Sequence, residues 1–245
     1  MLAASKAPPS NLIWLNLDLG ELSKTRKGAE EFLSKEEKLD QLYCSAGVMA
    51  PELGSKTADG IEMQLGTNVI AHHFLIKLLL PAIEKAAQAP GGKGNARICL
   101  TSSSGHHMHP GGFDKNDPEK KNSKAYQKGM AARWNLYGQS KRGNILDAKA
   151  WARRVGDKGI VVTSCNPGNL STELSRHQTG FVKGLFNTIV KNTILFAPWY
   201  GSLTQLYANT APEAAELNGK YLVPWARIGK ENAETNREDQ QEDRE

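Results

Sequence analysis

The chain has 245 residues, 39% hydrophobic and 23% charged, with a formal net charge of +5. This length suits one large α/β domain or two small ones and is ample for a buried core, and the composition is that of a soluble globular protein. No run of about 18 apolar residues occurs, so no membrane span is predicted; the longest apolar stretch, Phe74 to Ile83, is interrupted by Lys77.

In chain order, the opening MLAASKAPPSN carries one lysine and no apolar core, so it makes a poor signal peptide and a cytosolic setting is expected. NLIWLNLDL (11–19) reads as a strand and KTRKGAEEFLSKEEKL (24–39) as an amphipathic helix. LDQLYCSAGV (39–48) is a short apolar run ending at Gly47, which suits a buried strand. GIEMQLGTNVIAHHFLIKLLLPAIEKAAQ (60–88) reads as a long helix with Pro81 near its last turns. PGGKGN (90–95) is glycine-rich, but it precedes a strand instead of following one, so it is a loop.

ARICLTSSS (96–104) is a strand that opens into a serine cluster, and 105–133 is an irregular excursion. Within it, HHMH (106–109) has no carboxylate or thiol partner at a rigid spacing, which argues against a metal site. The lysines from Lys115 to Lys128 are mixed with Asp114, Asp117 and Glu119 and have few aromatics among them. They describe a solvated loop rather than a nucleic-acid surface. NLYGQSKRGNILDAKAWARRVG (135–156) is a helix stopped by glycine, and GIVVTSCNPGNLST (159–172) an apolar strand broken by Pro-Gly.

Cys44, Cys99 and Cys165 lie in or beside these apolar runs without a CxxC spacing, and read as buried thiols. Residues 231–245 hold seven acids against two arginines and read as a disordered tail behind a single domain, 1–230. That leaves the body basic, a charge that can attract a phosphorylated ligand.

Strands alternating with helices predict an α/β protein with a parallel sheet covered on both faces. In such sheets ligands bind beyond the carboxyl ends of the strands. Small polar clusters stand at three of those ends: Ser45 to Gly47, Thr101 to Ser104, and Asn166 to Thr172. Tyr137 and Lys141 are four apart in a helix and so share a face.

The ordered set LDL (17–19), CSAG (44–47), GTNVIAHHFL (66–75), RICLTSSSGH (97–106), YGQSK (137–141), NPGNLST (166–172) and NGKYLVPW (218–225) resembles the short-chain dehydrogenase/reductase family. The likeness is greatest to its retinol-dehydrogenase-like, fungal-type branch. It implies a Rossmann-like doubly wound parallel sheet, NADP or NAD as cofactor, and interconversion of a carbonyl and an alcohol on a small molecule. A homo-oligomer formed through the helix at 135–155 is a further expectation.

The resemblance places the general acid/base on Tyr137. A free phenol has a pKa near 10, and Lys141 would lower it through its adjacent charge while holding the nicotinamide ribose. Ser103 would donate to the substrate oxygen, with Ser102 and Ser104 as near neighbours, and Asn68 would hold a water in the proton path. Cofactor contacts are implied at Asp18, at Ser45, Ala46 and Gly47, and at Leu170 and Thr172. Ser45 stands where the family usually has asparagine.

The family also begins with a strand, a Gly-rich turn and a helix that bind pyrophosphate, followed by a second strand that selects NAD or NADP. The chain starts about where the third strand would stand, so a sheet truncated at its N-terminal strands is expected. The 39–46 strand would then present an unpaired edge. A truncated, catalytically inactive relative acting as a binding or assembly partner is therefore the alternative to an enzyme. The segment after Thr172, with Phe181, Leu185, Phe186, Ile189 and Ile194, would line an apolar substrate pocket. That suggests a lipophilic ketone or alcohol, in the setting of secondary metabolism.

Overall fold

The computed structural model describes residues 12–108, 129–171, 195–233 and 235. In chain order these form helix α1 (Leu22–Lys35), strand β1 (Gln41–Cys44), helix α2 (Met63–Ala87) and strand β2 (Arg97–Thr101). Helix α3 (Met130–Val155), strand β3 (Val161–Cys165), helix α4 (Pro198–Thr210), strand β4 (Tyr221–Val223) and strand β5 (Arg227–Ile228) follow. The sheet order is β1-β2-β3-β4-β5, parallel from β1 to β4 with β5 antiparallel at its edge.

Alternation along the strands decides what each face covers. Ile98, Leu100 and Val162 point into a core made with Ala29 of α1, Leu75, Ile76, Leu79 and Ile83 of α2, and Ala148 and Trp151 of α3. Cys99 and Cys165 point the other way, where they meet Ala208 of α4 and Leu222 of β4. Every residue of β2 and β3 is buried, as the apolar runs require of strands covered on both sides. The expected α/β architecture is present.

Helix α2 is long and apolar enough on length and composition to cross a membrane, yet 56% of its apolar window is buried inside the fold. A side chain fixes its start: Glu62 Oε2 accepts from the Leu65 N–H at 2.7 Å. One π turn, Gly66–Ile70, interrupts the α-helical register. Asp59 Oδ2, 37 residues away, accepts from the Leu22 N–H at 2.9 Å at the start of α1.

The expectation of a strand at 11–19 is not met. Residues 12–18 join no ladder, and Leu12, Ile13 and Trp14 are 53%, 69% and 88% exposed. An apolar run becomes a strand only where a neighbour takes its backbone groups. Here β1 is the last described strand on that side and pairs only with β2. Among the described residues of this stretch, only Leu19 is buried.

Sequence periodicity assigned no element to 195–228, which holds α4 and the β4–β5 pair. Pro198 opens α4 at a position where a missing N–H costs nothing. The buried Arg97 closes its far end, with Nη1 donating to the carbonyls of Ala208 at 3.3 Å and Ala211 at 2.6 Å. The acidic segment does not simply leave the body: Glu231 pairs with Lys149 at 2.6 Å and Thr235 is fully buried. Residues 236–245 lie outside the described residues, as do Phe181, Leu185, Phe186, Ile189 and Ile194.

Candidate active site

The carboxyl ends of β1, β2 and β3 and the middle of α3 enclose a cavity of about 310 Å³. From 136 to 142 every residue of α3 is buried. Tyr137 and Lys141 are 7% and 5% exposed and line the cavity with Ser103.

Bonds from three elements hold this group. The Lys141 ammonium donates to the Thr101 carbonyl, the last of β2, at 2.8 Å. Ser102 Oγ donates to the Lys141 carbonyl at 2.6 Å, which ties α3 to β2 and commits that hydroxyl. Ser140 Oγ donates to the Tyr137 carbonyl at 2.8 Å and accepts from Asn68 Nδ2 at 3.0 Å. Of the three serines lining the cavity, Ser103 is the one near enough to the Tyr137 phenol to lower its pKa.

Asn68 sits in the π turn of α2 and is fully buried. Its side chain accepts from the Val48 N–H at 2.8 Å and donates to the Val48 carbonyl at 2.9 Å. Its own carbonyl accepts from His72 Nδ1 at 3.0 Å and Asn144 Nδ2 at 2.7 Å. The residue thus clamps the loop after β1 to α2 and α3. It lies behind Gly47, where an added Cβ would stand 2.8 Å from Asn68 Oδ1 and 3.7 Å from Lys141 Nζ.

Burial governs the electrostatics. It lowers the Lys141 pKa to about 8 and that of His72 to about 4. Burial raises the Tyr137 phenol above its ordinary value, and the hydrogen bond from Ser103 pulls it partly back. This departs from the expectation that Lys141 would lower it. In this arrangement the ammonium is turned to Thr101 and lies 5.8 Å from the phenol ring centroid.

The implied cofactor residues divide between this cavity and an adjoining hollow. Ser45, Gly47 and Leu170 line the first with the catalytic candidates. Asp18, Ala46 and Gly47 line the second, about 370 Å³, and Gly47 and Val48 border both. Asp18 is half exposed; its carboxylate accepts from the Gly20 N–H at 2.9 Å and pairs with Lys24 at 3.1 Å, and both hold its pKa down. Thr172 lies outside the described residues.

Several residues at the site carry no obvious sequence signal. Met49, Met108, Trp134 and Leu195 add apolar wall to the cavity, and the Trp134 and Tyr137 rings meet edge to face at 5.9 Å. Their spacing in the chain is irregular, so periodicity could not assemble them; Trp134, one helical turn before Tyr137, was the findable one. Of the histidine cluster at 106–109, His106 Nδ1 lies 2.6 Å from the Ser103 carbonyl, His107 is exposed and His109 is outside the described residues. Among the described residues no three His, Cys, Asp or Glu side chains gather as metal ligands.

No protein-family model matches the chain. A short-chain dehydrogenase/reductase of Armillaria gallica is 45% identical over 223 residues, spanning 91% of this chain and 68% of that protein. Human retinol dehydrogenase 14 is 32% identical over 214 residues, spanning 86% of this chain and 58% of that protein. Among solved structures, the NADPH-bound carbonyl reductase from chicken fatty liver has the same fold, with a TM-score of 0.62 at 19% identity. That match covers 91% of this chain and 78% of the reductase. The NADH complex of a 3-ketoacyl-(acyl-carrier-protein) reductase from Brucella melitensis matches with a TM-score of 0.58 at 19% identity, covering 86% of this chain and 75% of the other.

Proposed function

The chain belongs to the short-chain dehydrogenase/reductase family, and from that premise we propose that it is an NAD(P)-dependent oxidoreductase interconverting a carbonyl and an alcohol on a lipophilic small molecule. The observation that carries this reading is that Ser103, Tyr137 and Lys141 line one cavity at the strand ends. A binding module has no need of an acid, a hydrogen-bond donor and a buried cation aimed at the same space.

The residues fit a dinucleotide. Gly47 keeps open the space beside Asn68 and Lys141 that a side chain would fill, and Asp18, Ser45 and Ala46 border the adjoining hollows. Asp18 would hold the adenine end, and Lys141, Tyr137 and Leu170 the nicotinamide end. When bound, the cofactor supplies or accepts the hydride.

The chain's own residues handle the proton. With its pKa raised by burial, Tyr137 is a protonated acid at neutral pH, suited to giving its proton to the oxygen of a carbonyl being reduced. In the reverse direction the same oxygen takes the alcohol proton. Ser103 donates to the substrate oxygen, where negative charge grows. Lys141, charged below about pH 8 and held by the Thr101 carbonyl, adds positive charge to the cavity wall where it would meet the nicotinamide ribose.

The apolar wall of Met49, Met108, Trp134 and Leu195 supports a lipophilic substrate. A setting in secondary metabolism is part of the same proposal. Titration of the chain with NADPH and NADH, followed by a panel of aliphatic and aromatic ketones, tests the reading. Saturable binding with cofactor-dependent alcohol formation is expected. No saturable binding of either nucleotide would leave only a non-catalytic binding role.

A further inference from the structure

We infer that His106 is a positioning residue for Ser103, whose imidazole holds the serine backbone from behind so that the hydroxyl meets Tyr137 across the cavity. The inference rests on the oxidoreductase reading and adds to it a residue that supports the active serine without touching the reacting atoms.

The geometry is specific. His106 is fully buried in the 3₁₀ turn Ser104–Met108, and its Nδ1 lies 2.6 Å from the Ser103 carbonyl. A carbonyl only accepts, so Nδ1 carries the hydrogen and Nε2 is a bare lone pair. Nε2 is buried and has no hydrogen-bond partner among the described residues. The ring lies against His107 at 3.8 Å between centroids and meets the Tyr221 ring edge-on at 5.1 Å.

A leucine would fill such a space without burying an unpartnered nitrogen, which is unfavourable. What the imidazole adds is one N–H aimed at the Ser103 carbonyl. That carbonyl also accepts from the His106 backbone N–H at 3.2 Å, so a single residue grips it twice.

The grip bears on the hydroxyl. Ser103 Oγ accepts from the Gly105 N–H at 3.0 Å, which leaves its own proton to be donated towards the cavity. Gly105 in turn packs on the catalytic ring, where an added Cβ would stand 2.9 Å from Tyr137 Cε1. Serine, glycine and tyrosine therefore form one unit, and a turn of Ser103 about its backbone would misdirect the hydroxyl. Burial also keeps His106 neutral, its pKa lowered to about 4. The groups facing it are His107 on the same turn, Arg142 on α3 and Tyr221 on β4.

The test uses the full chain and begins without cofactor. Long-range ¹H–¹⁵N spectra of histidine-labelled protein should show His106 as the Nδ1–H tautomer at neutral pH; the Nε2–H tautomer would overturn the inference. Two variants follow: His106→Asn keeps an N–H donor in about the place of Nδ1, and His106→Leu removes it. In ¹³Cζ-tyrosine titrations the leucine variant should raise the Tyr137 pKa by about half a unit or more, as the Ser103 bond is lost, and the asparagine variant should stay near wild type. With thermal melts confirming that both fold, kcat should fall about tenfold in the leucine variant and largely recover in the asparagine one, with the cofactor KM held within about twofold. Equal behaviour of the two variants in the titration overturns the proposal. An inactive wild-type chain would count against the oxidoreductase reading alone, because tautomer and titration are read without turnover.

Discussion

Two walls of the same cleft are built in opposite ways. The wall of β2, α2 and α3 carries Ser102, Asn68, Tyr137, Ser140 and Lys141, each buried, most of them bonded to a partner far away in the chain. The wall of residues 12–20 and 45–46 carries Asp18, Ser45 and Ala46, exposed and bonded only to near neighbours where bonded at all. The difference teaches that the groups proposed for proton transfer are held by the packing and long-range bonds of the fold itself. The groups assigned to the nucleotide's far end are held locally and offer themselves to solvent.

The contrast can be broken or sharpened by substitution. The largest effect is expected at Tyr137: Tyr137→Phe should lower turnover by about 10²–10⁴-fold with little change in cofactor affinity or melting temperature. Equal loss of affinity, measured by nucleotide titration, would mean that the tyrosine serves structure. Next comes Asn68→Ala, which removes three side-chain hydrogen bonds from a fully buried position and should cost about 2–4 kcal/mol in urea unfolding. A cost below that of an ordinary surface change would show the buried wall to be less cooperative than its bonds imply.

Two pH dependences follow in size. Between pH 8 and 10.5 the unfolded chain keeps a proton on Lys141 that the folded chain has given up, so that residue's burial penalises folding at neutral pH and less so as pH rises. Wild type should therefore gain stability relative to Lys141→Met across that window, by roughly 2–3 kcal/mol. For His72 the window runs from about pH 6.5 down to about 4, where the unfolded chain binds the proton and the folded one does not. Stability should fall on acidification through it, and His72→Gln should flatten the slope. The smallest effect belongs to the exposed wall: Asp18→Asn breaks an ion pair between half-exposed groups and should cost less than about 1 kcal/mol. A larger cost would place Asp18 in the structural frame and erase the contrast between the walls.

Much of this was readable from the chain, for reasons that can be named. Apolar runs such as RICLT and VVTSC are unambiguous when a strand is covered on both faces, and Tyr137 and Lys141 share a face by helical arithmetic alone. The 11–19 stretch carries the same local signal, but strand formation depends on a neighbour that local composition does not report. The same holds for Asn68: its polarity is visible, while its partners at 48, 140 and 144 come together only in the tertiary structure. The direction of the Tyr137 shift is not legible in the chain, because spacing places Lys141 beside the phenol, whereas the fold buries the ring and offers the ammonium a nearer carbonyl.

The wide turn at Gly66–Ile70 has a consequence for how α2 tolerates change. A π turn amounts to one residue inserted into an α-helix, so the segments on either side of it are out of phase by about 100°. Gln64 and Leu65 before it, Asn68 within it, and Ile76 and Ile83 after it are all buried with the turn in place. Deleting a single residue from the turn would give a more regular helix in which one half of the buried stripe, or Asn68 itself, is rotated out of register.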